Sequence, residues 1–328
     1  MKILYAIQAT GNGHISRARE IIASLKKHGD VDILTSGTQA DVNLLQGVKY
    51  HFHGLSYIFG KKGGVDHYKT WRSMNLLQLI KDMFRIPFEN YDLIINDFEP
   101  ITAWGCKIKG ISTVGLGHQA SFHSRKVPKP KSFNWAQLIL KYYAPASYYM
   151  GFHFDSYDNF IFTPVIRSEV RNLKPTNLGH YTVYLPAFDD SLIVKVLNQV
   201  PEVKWHVFSK HTHNVYSYEN VYVEPINNKN YISSLEHCEG LLTGAGFEAP
   251  SEALYLKKKL LVIPMKFQYE QQCNAVALKE FGIPVIWGSD KNLISQIKQW
   301  VNQEQVCNFI LPANVDDIVE SIVMRFAR

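Results

Sequence analysis

The sequence alternates short apolar runs with helix-patterned segments, and it does so twice, on either side of a polar stretch near its middle. In the first series, runs at 2–9, 31–34, 48–53, 91–96, 111–114 and 160–165 read as strands. Helical patterns occupy the intervals up to His28, at 39–46, at 71–84 and after Pro100. The second series has strands at 181–185, 204–209, 220–223, 241–243 and 260–263, with helices at 190–199, 231–237, 291–302 and 315–328. Strands separated by helix-length connections cannot pair as hairpins, so the pattern dictates parallel sheets with crossover helices. The expected fold class is therefore α/β, with two Rossmann-like domains whose parallel sheets face a common cleft. The expected division is 1–165, a linker at 166–179 containing Pro175, and 180–328, with the last helix packing back on the first domain. At 328 residues the chain has the length of two ordinary domains.

Composition narrows the class. Charged residues make up 20% and hydrophobic residues 46%, the balance of a globular protein, and no apolar stretch approaches a membrane span. The first residues lack a signal-peptide pattern, which points to the cytoplasm. The cysteines Cys106, Cys238, Cys273 and Cys307 are scattered and form no CxxC, so neither a disulfide framework nor a zinc site is expected. A net charge of +6 allows an anionic partner, but no nucleic-acid motif accompanies it. The run from Lys126 to Lys131, followed by Trp135, Tyr142, Tyr143, Tyr148 and Tyr149, suits a peripheral membrane contact or an acceptor-side loop.

The residues able to do chemistry fall where strands end. Gly11, Asn12, Gly13 and His14 join the first strand to its helix. They lack a full GxGxxG, Arg17 standing near the third glycine's place, and the second strand has no acidic ribose ligand at its end, which disfavours NAD. An imidazole at this turn, with an ordinary pKa of about 6.5, suits a general base. Asp97 closes the apolar strand Leu93-Ile94-Ile95, where its carboxylate could orient His14; Glu99 competes for that part, and capping the helix after Pro100 is the structural alternative. His118 and Gln119 follow another strand, as cleft residues or as a simple turn. In the second half, Gly244, Ala245 and Gly246 let backbone amides approach an anion. Pro250 marks the start of a helix, placing Glu252 in an early turn. Glu270, Gln271 and Asn274 share one helix face after the strand at 260–263. Two helix starts bearing acidic and amide side chains suit a phosphorylated, hydroxyl-rich ligand.

These residues resemble those of GT-B glycosyltransferases, especially the peptidoglycan N-acetylglucosaminyltransferase, the UDP-glycosyltransferases and a related bacterial and archaeal group. Gly246-Phe247 followed by Glu252 is similar to a glycine-tryptophan and downstream glutamate in the plant enzymes. Glu270-Gln271 with Asn274-Ala275 resembles their acidic-Gln pair and Asn-Ala. The resemblance implies Glu252 on ribose hydroxyls, Glu270 and Gln271 on the donor sugar, and Gly244, Ala245 and Gly246 on the diphosphate. It also implies His14 as base, Asp97 as its partner, and Arg167 of Pro164-Val165-Ile166-Arg167 near the phosphates. Leu185-Pro186-Ala187 and Glu248 depart from the pattern, and the nucleobase-contacting Trp-Ala-Pro-Gln is absent. The expectation is an inverting transferase that moves a sugar from a nucleotide diphosphate sugar, UDP-linked, to a hydroxyl acceptor, with no metal or other cofactor. A nucleotide-sugar 2-epimerase and a non-catalytic nucleotide-sugar binder are the alternatives.

Overall fold

In the computed structural model, residues 1–10, 12–37, 47–54, 76–131, 135–288, 292–304 and 311–327 are described. The first sheet is built from β1 (Lys2–Gln8), β2 (Asp30–Ser36), β3 (Val48–Phe52), β4 (Leu93–Asp97), β5 (Val114–Gly117), β6 (Tyr148–Phe152) and β7 (Ile161–Phe162). Its helices are α1 (Asn12–Leu25), α2 (Leu76–Phe84), α3 (Pro100–Lys109) and α4 (Ala136–Tyr142), and α5 (Ser168–Arg171) follows. The second sheet holds β8 (His180–Tyr184), β9 (Lys204–Ser209), β10 (Tyr216–Tyr218), β11 (Val221–Pro225), β12 (Gly240–Thr243) and β13 (Lys259–Val262). Its helices are α6 (Asp190–Leu197), α7 (Asn228–His237), α8 (Glu248–Tyr255), α9 (Tyr269–Glu280), α10 (Leu293–Asn302) and α11 (Val315–Phe326).

The strand orders are β3-β2-β1-β4-β5-β6-β7 and β10-β11-β9-β8-β12-β13. Every pairing is parallel except the β10–β11 hairpin. Each sheet reverses its strand order once, between β1 and β4 and between β8 and β12. Crevices form where neighbouring strands send their connections to opposite faces, so ligands are expected there. The chain puts its glycine turns at those two places: residues 11–13 follow β1 and Gly244–Gly246 follow β12.

One apolar cluster runs through both halves, joining Ile3, Ile15 and Phe152 to Leu235, Phe247 and Val262. The final helix does not stay with the second sheet. Ile318, Val319 and Ile322 of α11 share this core with Ile21, Ile22 and Leu25 of α1. Asp316 accepts from Ser24 Oγ at 2.6 Å and pairs with Lys27 at 2.8 Å, fixing the register of the two helices.

Several local expectations shift. The strand expected at 111–114 begins at Val114 and runs to Gly117. Its glycines are strand residues because neighbours crowd it: a Cβ on Gly115 would lie 3.1 Å from Ala146 Cβ, and one on Gly117 2.3 Å from Asp97 Oδ1. His118–His123 then form a 3-10 helix. The aromatic run contributes β6, and the polar run at 168–179 opens with α5. The expected helix at 39–46, the basic loop at 60–64 and Gly11 lie outside the described residues, as do Cys307 and the start of the helix expected from Trp71. Cys106, Cys238 and Cys273 are buried free thiols. Among the described residues no helix is long and apolar enough to cross a membrane.

Candidate active site

β1 and β4 are neighbours, with Ile7 opposite Asp97, so the turn after β1 and the end of β4 are adjacent by register. That adjacency brings His14 Nδ1 to 2.9 Å from Asp97 Oδ1. An ionised carboxylate only accepts, so Nδ1 carries the proton and Nε2 keeps its lone pair. Asp97 has no exposed surface. Burial opposes its ionisation, but the charges of Arg17 and His14 prevail and hold its carboxyl below the usual range.

Glu99 resolves the ambiguity between the two acids. It caps α3, accepting from the amides of Ile101 at 2.8 Å and Thr102 at 2.7 Å, and from Ser36 Oγ at 2.7 Å. Its carboxylate is thereby used up beside the helix it starts, and Asp97 alone faces His14.

Arg17, one turn beyond His14 on α1, also holds Asp97. Its Nη2 donates to Oδ1 at 3.0 Å and to Oδ2 at 2.8 Å. Its Nη1 donates to Glu248 Oε1, at the start of α8 in the other half. Burial pushes the Glu248 carboxyl up to about 7, against the opposing pull of Arg17. Sequence reading passed over both residues as departures from a motif. The available signal was the spacing of His14 and Arg17, three apart on one helix face.

A cleft of about 410 Å³ opens between the halves. Gln8, Thr10, Gly13, His14 and Gln119 line it from the first half; Lys210, Gly246, Glu270 and Gln271 line it from the second. Phe98, Ile139, Leu140 and Tyr143 form an apolar wall. Gln119 bridges the halves: its Nε2 donates to Glu270 Oε2 at 3.0 Å and lies 3.5 Å from His14 Nε2. Its Oε1 is buried without a partner. A buried acceptor left open in a cleft suits a ligand hydroxyl or amide. Four non-glycine residues among those described have left-handed backbone, and two of them, Phe98 and Phe267, line this cleft. Such conformations cost about 1–3 kcal/mol and concentrate at functional sites.

The remaining expected residues group differently. His118 and Asn274 do not line the cleft. His118 Nδ1 donates to the Phe152 carbonyl at 2.8 Å, and its ring stacks on Phe247 with centroids 4.0 Å apart. Burial lowers its pKa, against the opposing pull of Glu270 and of the acceptors at its ring nitrogens. Asn274 spans 2.8 Å to His118 Nε2 and 3.0 Å to the Ala245 carbonyl, with no exposed surface. These residues, with the buried Ala245, make a joint beneath the glycine loop. Arg167 and Glu252 meet each other instead, Nε to Oε1 at 2.6 Å and Nη2 to Oε2 at 3.1 Å. Arg167 also donates to Asn228 Oδ1 at 2.6 Å. Gln271 Oε1 accepts from the Met265 amide at 2.9 Å, which turns its Nε2 outward as a donor. Gly244 lies against Gln271: a Cβ there would be 3.4 Å from Gln271 Oε1. Gly11 and the Asn12 side chain lie outside the described residues.

The same architecture occurs in solved glycosyltransferases. The chain is similar to MurG of Acinetobacter baumannii (13% identity, 99% of this chain and 100% of that one, TM-score 0.57). It is similar to the calicheamicin glycosyltransferase CalG4 (14%, 100% and 99%, TM-score 0.58). It also resembles UGT89C1 of Arabidopsis thaliana, solved in complex with UDP (11%, 98% and 94%, TM-score 0.57). These likenesses give the GT-B fold, two parallel-sheet halves around a cleft. No curated protein sequence matches. The model of glycosyl transferase family 1 matches residues 1–303. The fold and the family agree, and the chain belongs to glycosyl transferase family 1: it is a glycosyltransferase.

Proposed function

We propose that the enzyme moves a sugar from a nucleotide diphosphate sugar, UDP-linked, to a hydroxyl acceptor with inversion at the anomeric carbon. The observation that carries this reading is the position of His14 Nε2 in a cleft whose far wall holds Gly246, Glu270 and Gln271. With Nδ1–H committed to Asp97, Nε2 accepts the acceptor's proton as its oxygen attacks the anomeric carbon. The C1–oxygen bond to the diphosphate breaks on the opposite face, and the electron pair leaves with the nucleotide. Amides of Gly244, Ala245 and Gly246 before α8, with Lys210 at the rim, meet the charge of the leaving diphosphate without a metal.

Glu270 and the Gln271 amide hold hydroxyls of the donor sugar. Each oxygen of Glu252 gives one lone pair to Arg167 and keeps another, so the pair presents a fixed carboxylate to ribose hydroxyls. His118 and Asn274 support the loop rather than touch the donor. The acceptor enters along Phe98, Ile139, Leu140 and Tyr143, a wall suited to an apolar or lipid-linked molecule. Trp135, Leu138 and Tyr142 of the α4 region are exposed beside Lys141, and Leu77, Ile80 and Phe84 of α2 beside Lys81 and Arg85. Basic and aromatic groups in this pattern favour peripheral contact with an anionic membrane face.

A thermal-shift screen of nucleotides and nucleotide sugars tests the donor half. The expected result is stabilisation by UDP-sugars above other nucleotides, and a flat response across the whole screen would end the reading. Transfer is expected to survive chelator treatment. Sedimentation with vesicles containing phosphatidylglycerol, against neutral vesicles, tests the membrane contact.

A further inference from the structure

We propose that Arg17 is a positioning residue that ties the His14–Asp97 pair to the donor half through Glu248. The inference rests on the reading of His14 as base. Arg17 is 3% exposed, so its guanidinium cannot exchange its partners for water. Nη2 is spent on both oxygens of Asp97, and Nη1 on Glu248 Oε1. Nη2 also lies 3.3 Å from His14 Nδ1, Nε has no partner, and the Phe152 ring lies beneath the guanidinium at 5.8 Å. Its orientation is therefore fixed by two carboxylates, one at the end of β4 and one at the start of α8. Glycine at residue 13 eases the approach of Glu248: a Cβ there would stand 3.0 Å from Glu248 Cγ and force the side chain to give by a few tenths of an ångström. The first turns of α1 and α8 thus touch through a carboxylate that slots over a glycine.

The charges give this contact a consequence. Asp97 stabilises an imidazolium on His14 only to the extent that its charge is not already neutralised by Arg17. Glu248 draws on the same guanidinium from the other side, so the approach of α8 returns part of the Asp97 charge to His14. The base gains its full strength when the donor half is in place. A second consequence is steric. The two-pronged grip of Arg17 keeps Asp97 from rotating away from Nδ1, which a lysine, with a single nitrogen, does only in part.

The test follows the His14 imidazole by NMR in the full chain, with the signal identified by its loss in His14→Gln. Removing a cation a few ångströms from a titrating pair moves its midpoint by about 1–3 pH units. Arg17→Met is expected to move the His14 midpoint upward by about one unit or more, and Arg17→Lys to restore most of it. Glu248→Gln keeps the shape and removes the negative charge that Glu248 acquires only as it ionises near pH 7, so it is expected to lower the midpoint by a smaller step, felt at the upper end of the titration. UDP binding, measured by calorimetry, is expected to stay within about twofold in Glu248→Gln. An unchanged midpoint in a folded Arg17→Met protein overturns the proposal. Where Arg17→Met does not fold, an unchanged midpoint in Arg17→Gln does the same. The titration needs no turnover, so a wild-type protein that binds no nucleotide sinks the functional reading and leaves this one to stand or fall on its own.

Discussion

The two sides of the cleft are prepared in different ways. On the first side, Asp97 is held from two directions by His14 and Arg17, and both Asp97 oxygens and both Arg17 terminal nitrogens have partners. On the second side, Glu270, Gln271 and Gly246 line the cleft itself, while Glu252 lies buried behind it, held by Arg167. The difference matches the tasks. A base must hold one geometry before its substrate arrives, and a polar network buried in the core does that because rearranging it would strand a charge. A donor site must exchange water for sugar and phosphate groups, and Lys210, Glu270 and Gln271 stand on the cleft wall where they can do so. Glu248 belongs to the second side by sequence and to the first by contact.

The largest expected effect breaks the committed side. His14→Ala is expected to lower kcat for transfer by about 100- to 10,000-fold while nucleotide binding, read by calorimetry, is retained. Near-normal turnover would remove His14 from the mechanism. Gly117→Ala attacks the same side without touching a reacting group, since its methyl would lie 2.3 Å from Asp97 Oδ1. Overpacking of this kind costs about 1–3 kcal/mol, so a lower melting temperature and a reduced kcat are expected together. A variant with wild-type melting and kcat would show that Asp97 has room to move.

Gln271→Ala tests the open side. It removes one donor to the ligand and strands the Met265 amide, so KM for the donor is expected to rise about tenfold with a smaller change in kcat. A fall in kcat alone would place Gln271 with the base instead. The last test leaves transfer aside and concerns the residue that crosses between the sides. The Glu248 carboxyl is raised to about 7 in the folded protein, so its contribution to stability is fully present below about pH 4.5 and is lost as pH rises through 7. Glu248→Gln is expected to flatten that decline, which denaturant titrations at pH 5 and pH 8 would measure as a difference on the order of 3 kcal/mol or less. An equal slope in both proteins would mean that Glu248 does not titrate in this range.

The class of fold was legible in the sequence because parallel sheets buried on both faces leave near-continuous apolar runs, such as Leu93-Ile94-Ile95 and Leu260-Leu261-Val262. The ends of those runs gave His14, Asp97, Gln119, Glu270 and Gln271, and all five meet at or beneath the cleft. What stayed hidden was set by contacts between distant segments. Nothing local distinguishes Asp97 from Glu99; the choice depends on Ser36 and on which acid reaches the amides of α3. The strand at 114–117 was displaced because glycines look like turn residues until Asp97, Ala146 and Tyr149 are known to crowd them. Arg17 and Glu248, 231 positions apart, have no shared signal in one sequence. Asn274 matched a motif and His118 followed a strand end, yet the apolar joint around Phe247 took both out of the cleft.

The docking of α11 on α1 has a bearing on how the protein is made. The apolar stripe of Ile21, Ile22 and Leu25 leaves the ribosome about 300 residues ahead of the Ile318, Val319 and Ile322 that cover it. At about 5–20 residues per second, roughly 15 to 60 seconds pass between the two. For that interval the nascent first half carries an uncovered hydrophobic seam, and a chain cut short before Val315 would carry it permanently.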